Sequence, residues 1–155
     1  MDFRIVALPA ARFAPLFGLP DAQLAARGVQ RVIADRPSGF PCRVSLRDAA
    51  AGESLLLLNY EHLPVPGPYR SSHAIFVREY AAEFAPAVNE VPAVLATRLL
   101  SVRAFDAAGM MVEAEVSAGA EVATLLGRLL DDARVSFVHL HNAKPGCYAA
   151  QALRA

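Results

Sequence analysis

The sequence predicts an α+β fold, as one domain over residues 1–155, with a mixed or mainly antiparallel sheet and two or more helices packed on it. Three features predict it: several short β-type segments separated by turn residues, a hairpin signal at residues 98–117, and an amphipathic helix near residue 125. A chain of 155 residues that is 55% hydrophobic and 19% charged can bury a core without needing a disulfide or a metal ion to fold.

Strands are expected where short apolar runs end in proline, glycine or polar turns. The expected strands cover residues 3–8, 29–35, 42–46, 53–62, 74–80, 98–105, 110–117, 134–141 and 147–153. The run at 53–62 contains four consecutive leucines. Both of its faces should therefore be buried, which places it centrally in a sheet, although a buried helical turn is a competing interpretation.

The hairpin at residues 98–117 allows its register to be predicted. A three-residue loop, Ala107 to Gly109, would place Gly109 in the left-handed conformation of a bulged turn. Val102 would then lie opposite Ala114, and Arg103 opposite Glu113. This register keeps the apolar side chains on one face, which is the face expected to be buried.

Two helices are expected. Residues 19–28 have proline at the entry and glycine at the end, as helix ends prefer. Residues 119–132 have apolar side chains at three- and four-residue spacing, typical of a helix with one buried face. Between residues 81 and 97, Pro86 and Pro92 limit any helix to short pieces.

Charge and composition exclude several classes of protein. The formal net charge is zero and no basic stripe is present, so neither nucleic acid nor an anionic membrane is an expected partner. No apolar run approaches the ~18 residues that span a bilayer. Pro9, Arg12 and Pro15 interrupt any signal-peptide core. Two cysteines are not a disulfide framework, so we expect a cytoplasmic protein with reduced thiols, and no sequence motif indicates a cofactor.

The segment VHLHNAKPGCY, residues 138–148, carries two of the four histidines. His139 and His141 are two residues apart on an expected strand, so they point to the same side and are sterically suited to bind a metal together. A zinc site needs three or four ligands, and no local spacing supplies the third. The sequence therefore predicts no metal site, with His139 as a hydrogen-bonded core residue.

The same segment raises a catalytic alternative. Cys147 could act as a nucleophile with His141 as its base and Lys144 adding positive charge. A buried, unreactive cysteine is the competing interpretation. The sequence leaves it open whether the protein is an enzyme.

Polar side chains gather where the apolar strands end, and pockets commonly open at such places. Arginines among them favour an anionic ligand. The leading hypothesis is a site for a small polar or anionic molecule, lined by Tyr60, His62, Arg70, Arg78, His141 and Asn142. The alternative is an interaction module without a pocket, in which the proline-rich loop 62–72 or an apolar hairpin face binds a partner, including a second copy in a homodimer.

Several segments together resemble one known family. NYEH (59–62), YR (69–70), FVRE (76–79), GMMVEAEV (109–116) and HLHNAKPGCYA (139–149) are similar to the bacterial domain-of-unknown-function family DUF1203. The resemblance implies a compact single-domain bacterial protein. It implies no catalytic residues, because no activity is established for the family.

Overall fold

The computed structural model describes residues 1–155 and contains eight strands in two antiparallel sheets together with three helices. This confirms the predicted α+β class. The strands are β1 (Phe3–Val6), β2 (Gln30–Ile33), β3 (Ser54–Leu63), β4 (Ser71–Arg78), β5 (Leu99–Phe105), β6 (Met111–Ala118), β7 (Phe137–Asn142) and β8 (Tyr148–Arg154). The helices are α1 (Asp21–Ala25), α2 (Ala93–Ala96) and α3 (Val122–Asp131). None of these helices has the length and apolar character that crossing a bilayer requires.

The larger sheet has five strands in the order β1-β8-β7-β5-β6, and the smaller sheet has three in the order β2-β3-β4. The leucine-rich strand β3 is therefore central, as its sequence predicts. Leu55 and Leu56 are fully buried on opposite faces of it, because neighbouring side chains of a strand point to opposite sides.

The main core lies between α3 and one face of the five-stranded sheet. Leu126 and Leu129 of α3 pack in one cluster with Val138 and Leu140 of β7. The side chains of β7 that alternate with these two, including His139 and His141, point to the other face. That face looks toward the three-stranded sheet, where His62 and His73 contact them.

The predicted hairpin forms, but most of its register differs by one residue. The three-residue loop is confirmed, with Gly109 at a φ of +79° and Asp106 N–H bonded to the Met110 carbonyl. A β-bulge then shifts the pairing, so Val102 lies opposite Glu115 and not Ala114. The prediction assumed that β6 has a buried face. In fact β6 is a largely exposed edge strand, and its glutamates face Arg128 of α3.

The predicted strand at 42–46 does not form. Leu46 has a φ of +46°, which breaks an extended conformation, and only single bridges remain, at Pro41 and Cys42. The segment instead follows the outer edge of β4, where Arg43 N–H donates to the Phe76 carbonyl at 3.1 Å. This path places the Arg43 side chain within hydrogen-bond distance of the carbonyl of Tyr148, the first residue of β8.

Candidate functional site

All four histidines of the chain meet between the two sheets. His62 ends β3, His73 lies near the start of β4, and His139 and His141 come from β7. His62 Nε2 is 2.9 Å from His73 Nδ1, and His62 Nδ1 is 3.3 Å from His139 Nδ1. The rings of His62 and His141 have centroids 4.9 Å apart. We call these four residues the histidine cluster.

The tautomer of His141 follows from its surroundings. Its Nδ1 lies 2.9 Å from the carbonyl oxygen of Gly146, and a carbonyl only accepts, so Nδ1 carries the proton. Gly146 reaches this position in a tight turn at a φ of +76°. His141 Nε2 is consequently an unprotonated acceptor, and it is buried without a hydrogen-bond partner.

The histidine cluster is electrically neutral at pH 7. Burial lowers the pKa of His62 to about 4 and the pKa values of His139 and His141 to about 3. It also lowers the pKa of His73. The positive charge of Arg103 lowers all four further. Neutral imidazoles retain one nitrogen lone pair each, which is what hydrogen-bond donors and metal ions require.

Tyr148 forms a wall of the cluster. Its ring stacks on His62 with centroids 5.2 Å apart and planes inclined by 13°, and burial raises the pKa of its hydroxyl. Tyr60 packs against it at 6.1 Å, and the Tyr60 hydroxyl accepts a hydrogen bond from Arg12 at 2.9 Å. The aromatic wall covers one side of the histidine cluster with apolar ring surface.

A cavity of about 630 Å³ opens next to the histidine cluster, beside the outer edge of β4. Its walls are the loop before Arg43, the start of β5 and the turn between β7 and β8. The lining residues are Gly39, Pro41, Arg43, Leu57, His73, Ala74, Phe76, Thr97, Arg98, Leu99, Asn142, Ala143, Lys144, Pro145 and Cys147. His73 therefore belongs both to the cavity wall and to the histidine cluster.

The cavity wall contains three basic side chains and no carboxylate. Arg98 is paired with Asp48 at 2.7 Å. Arg43 is 2% exposed and has no carboxylate partner; it donates to the carbonyls of Pro41 and Tyr148 and to Cys147 Sγ at 3.1 Å. Burial lowers its pKa. A buried guanidinium without a counter-charge produces a strongly positive potential at this wall.

Two further groups of the wall are relevant to a ligand. Lys144 is exposed at the rim and forms none of the ion pairs of the protein. Asn142 donates from Nδ2 to Cys147 Sγ at 3.4 Å. Its Oδ1 is buried without a partner.

The structure brings some of the sequence-predicted site residues together. His62 and His141 are in the histidine cluster, Asn142 lines the adjacent cavity, and Tyr60 packs on Tyr148. Tyr60 therefore lies at the aromatic wall of the histidine cluster, and Asn142 lies at the cavity, one residue beyond His141 on β7.

The two predicted arginines lie elsewhere. Arg70 pairs with Glu61 on the surface. Arg78 donates to Glu53 and, at 3.1 Å, to Ser45 Oγ. It is five residues from His73 along β4, which corresponds to about 17 Å. The basic groups that do line the cavity are Arg43, Arg98 and Lys144.

The cysteine that the sequence singles out lies at the cavity, but its contacts differ from those of a nucleophile with a histidine base. Cys147 Sγ contacts Arg43 and Asn142, whereas His141 is bonded to Gly146 through Nδ1 and has no partner at Nε2. Cys42 accepts from the backbone N–H groups of Ser45 and Arg78, and both cysteines are free thiols.

Sequence reasoning missed His73, Arg43 and Arg98. The signal for His73 was available, because pairing β3 with β4 across the proline-rich loop places it opposite Tyr60, beside His62. Arg43 carried no signal, since arginines are seldom fully buried and its strand was wrongly predicted.

Comparison with known proteins places these residues in a family. No curated protein and no solved structure shows significant similarity to the chain. A family model matches residues 39–154, a range that contains the whole histidine cluster and the whole cavity wall. The match confirms the resemblance seen in the sequence: the chain belongs to the family described as "Protein of unknown function (DUF1203)".

Proposed function

We propose that the protein binds a small organic anion in the cavity beside β4. The observation that carries this proposal is the composition of the wall, which contains Arg43, Arg98 and Lys144 but no carboxylate. Only Arg98 has an acidic partner. An anion entering the cavity would therefore meet positive charge that the protein does not itself neutralise.

The buried guanidinium of Arg43 supports this proposal most strongly. Burying a charge without an opposite charge is costly, and three acceptors hold Arg43 in one position. An anion on the open side of the wall would offset that cost. Because Arg43 is already fixed, little side-chain entropy would be lost on binding.

The rest of the wall indicates what the ligand carries besides its charge. A volume of about 630 Å³ lies within the range of small-molecule sites. Leu57, Phe76 and Leu99 supply an apolar surface, which suits a ligand with a hydrocarbon or aromatic body. The unpaired Asn142 Oδ1 would accept a hydrogen bond from a ligand hydroxyl or amine.

A binding screen with charge variants tests the proposal. The panel consists of small aliphatic and aromatic carboxylates and phosphate monoesters, measured by thermal shift and then by calorimetry. The Lys144→Glu substitution reverses the charge at the rim and should weaken the binding of any ligand found in the screen about 10-fold or more. The attraction between Lys144 and a bound anion is expected to contribute on the order of 1–2 kcal/mol. Lys144 is exposed, so the variant should fold normally.

Matched controls keep the result specific. Lys144→Arg should retain binding because it keeps the charge. Arg27→Glu should also retain it, because Arg27 is an exposed cation outside the cavity that contacts only the Gln23 carbonyl. Equal affinity in wild type and Lys144→Glu, or no hit across the panel, would contradict an anion site here. If no ligand in the panel binds and the molecular mass in solution rises with protein concentration, the result would favour the alternative of an interaction module.

A further inference from the structure

We propose that His62, His73 and His141 form a site for a divalent transition-metal ion, with Zn²⁺ as the expected occupant. One ring nitrogen of each residue lies within 4.8 Å of those of the other two. Three elements supply them: the end of β3, the start of β4, and β7. The proposal does not depend on the cavity ligand.

The spacing of the nitrogens is close to that of a metal-bound set. Zinc binds imidazole nitrogen at about 2.0–2.1 Å, so two ligands at a tetrahedral angle lie about 3.3 Å apart. His62 Nε2 and His73 Nδ1 are already 2.9 Å apart. With no separation above 4.8 Å, side-chain rotations without backbone movement can complete the set.

His141 provides the second, independent observation. Its Nε2 is a fully buried acceptor without a partner, which is costly unless something outside the protein binds to it. Its Nδ1–H is donated to the Gly146 carbonyl. Metal-binding histidines characteristically donate their other ring N–H to a backbone carbonyl or carboxylate, because this fixes the tautomer and the ring orientation.

His139 acts as the equivalent support for His62. Their Nδ1 atoms are 3.3 Å apart, so one nitrogen must donate and the other accept. When His62 Nδ1–H donates to His139, the lone pair of His62 Nε2 is directed to the same side as His73. Without a metal, Ser71 Oγ occupies this position at 3.1 Å, and a bound ion would displace that hydroxyl.

The ligand set selects the class of metal. Three neutral imidazoles without a carboxylate favour zinc, copper, nickel or iron and disfavour calcium and magnesium, which prefer oxygen. Three protein ligands leave one coordination position for water or an anion. Arg103 lies near the cluster and is bonded only to Ser101 Oγ at 3.1 Å. Its positive charge opposes a bare cation, so an anionic fourth ligand should strengthen binding.

A metal titration of the full chain, prepared without a histidine tag and stripped with a chelator, tests the site. We expect Zn²⁺ to bind in a 1:1 ratio by calorimetry, and Co²⁺ to give the intense visible absorption of tetrahedral nitrogen coordination. His73→Ala should weaken Zn²⁺ binding by more than about 100-fold, because loss of a direct ligand exceeds the 10–100-fold effect of a supporting residue. His73 is only half-buried, so this variant should fold.

Two variants separate the proposed site from other modes of binding. Ser71→Ala should bind Zn²⁺ at least as tightly as wild type, because its hydroxyl competes with the metal for His62 Nε2. Cys147→Ser should bind normally, because the thiol is not in the set. No 1:1 binding at millimolar Zn²⁺ would overturn the proposal. Undiminished affinity in His73→Ala, or binding lost in Cys147→Ser, would do the same.

Discussion

Strands β3 and β4 carry a polar cluster at each end, and the two clusters differ in how completely their atoms are paired. At the end away from the cavity, Glu79 accepts two bonds from Arg31, at 2.9 and 3.0 Å, one from Gly18 N–H at 3.1 Å, and one from the Ser54 hydroxyl. Glu53 is bound by Arg47 and Arg78. We call this end the carboxylate cluster; there, each charged group has an opposite charge beside it.

The histidine cluster has no charge of its own at pH 7, and its pairing is incomplete. Only two buried side-chain polar atoms in the molecule lack a hydrogen-bond partner, His141 Nε2 and Asn142 Oδ1. They are on consecutive residues of β7, one facing the histidine cluster and the other beside the cavity. Buried polar groups are nearly always satisfied in native proteins. Complete pairing therefore favours a structural role, and the two unpaired atoms lie where we propose that ligands bind.

The carboxylate cluster can be tested by removing one charge. Glu79→Gln keeps the shape of a side chain that is 8% exposed but leaves Arg31 without its main partner. We expect the free energy of unfolding to fall by about 3 kcal/mol, the lower end for breaking a buried pair, because Arg31 retains some solvent access. Chemical denaturation at pH 7 measures this difference.

An exposed ion pair provides the matched control. Asp35 and Arg36 are 71% and 63% exposed, so Asp35→Asn should change the free energy of unfolding by less than about 1 kcal/mol. Equal effects of the two substitutions would mean that the dense bonding around Glu79 does not stabilise the fold, and the contrast between the two clusters would lose its basis.

Adding metal tests the other end of the same strands. At a Zn²⁺ concentration 100 times the Kd of the proposed site, the free energy of unfolding should rise by about 2.7 kcal/mol, because an ion that binds only the folded state stabilises that state. The same increase is expected in Glu79→Gln, since sites more than ~10 Å apart with no shared partners contribute independently. Denaturation with and without Zn²⁺ in both proteins measures it. A smaller increase in Glu79→Gln would show that the two ends are coupled through β3 and β4.

The fold was more predictable than the site because its signals are local. Four consecutive leucines identify the central strand of the smaller sheet, and Gly109 identifies the hairpin turn. The register of β6 was wrong because burial was assumed for a strand that lies at an edge. The strand at 42–46 was wrong because its composition does not reveal the positive φ of Leu46.

The candidate site depends on pairing between distant segments, which no local pattern encodes. His139 and His141 could be recognised as a same-side pair, but the other two histidines of the cluster come from β3 and β4. Arg78 was chosen because it ends a strand, yet it ends β4 on the side away from His73. Sheet topology decides which end of a strand faces which loop. His62, His141 and Arg78 could therefore be named from the sequence but not placed, and His73 was not named.

Acidification provides the third test because, of the two clusters, only the carboxylate cluster contains paired acids. Arg31 holds the pKa of Glu79 down, from 4.5 to about 2 in the folded protein. The stability that this carboxylate contributes is fully present above pH 4.5 and is lost as the pH falls through 2, because the unfolded chain takes up the proton first.

Glu79→Gln has no proton to bind at this position, and all other groups titrate in both proteins. The difference between wild type and variant should therefore shrink by roughly two thirds on going from pH 7 to pH 3. Denaturant titrations at both pH values measure it, and a constant difference would mean that packing around Glu79, and not its charge, accounts for the stability at that end of β4.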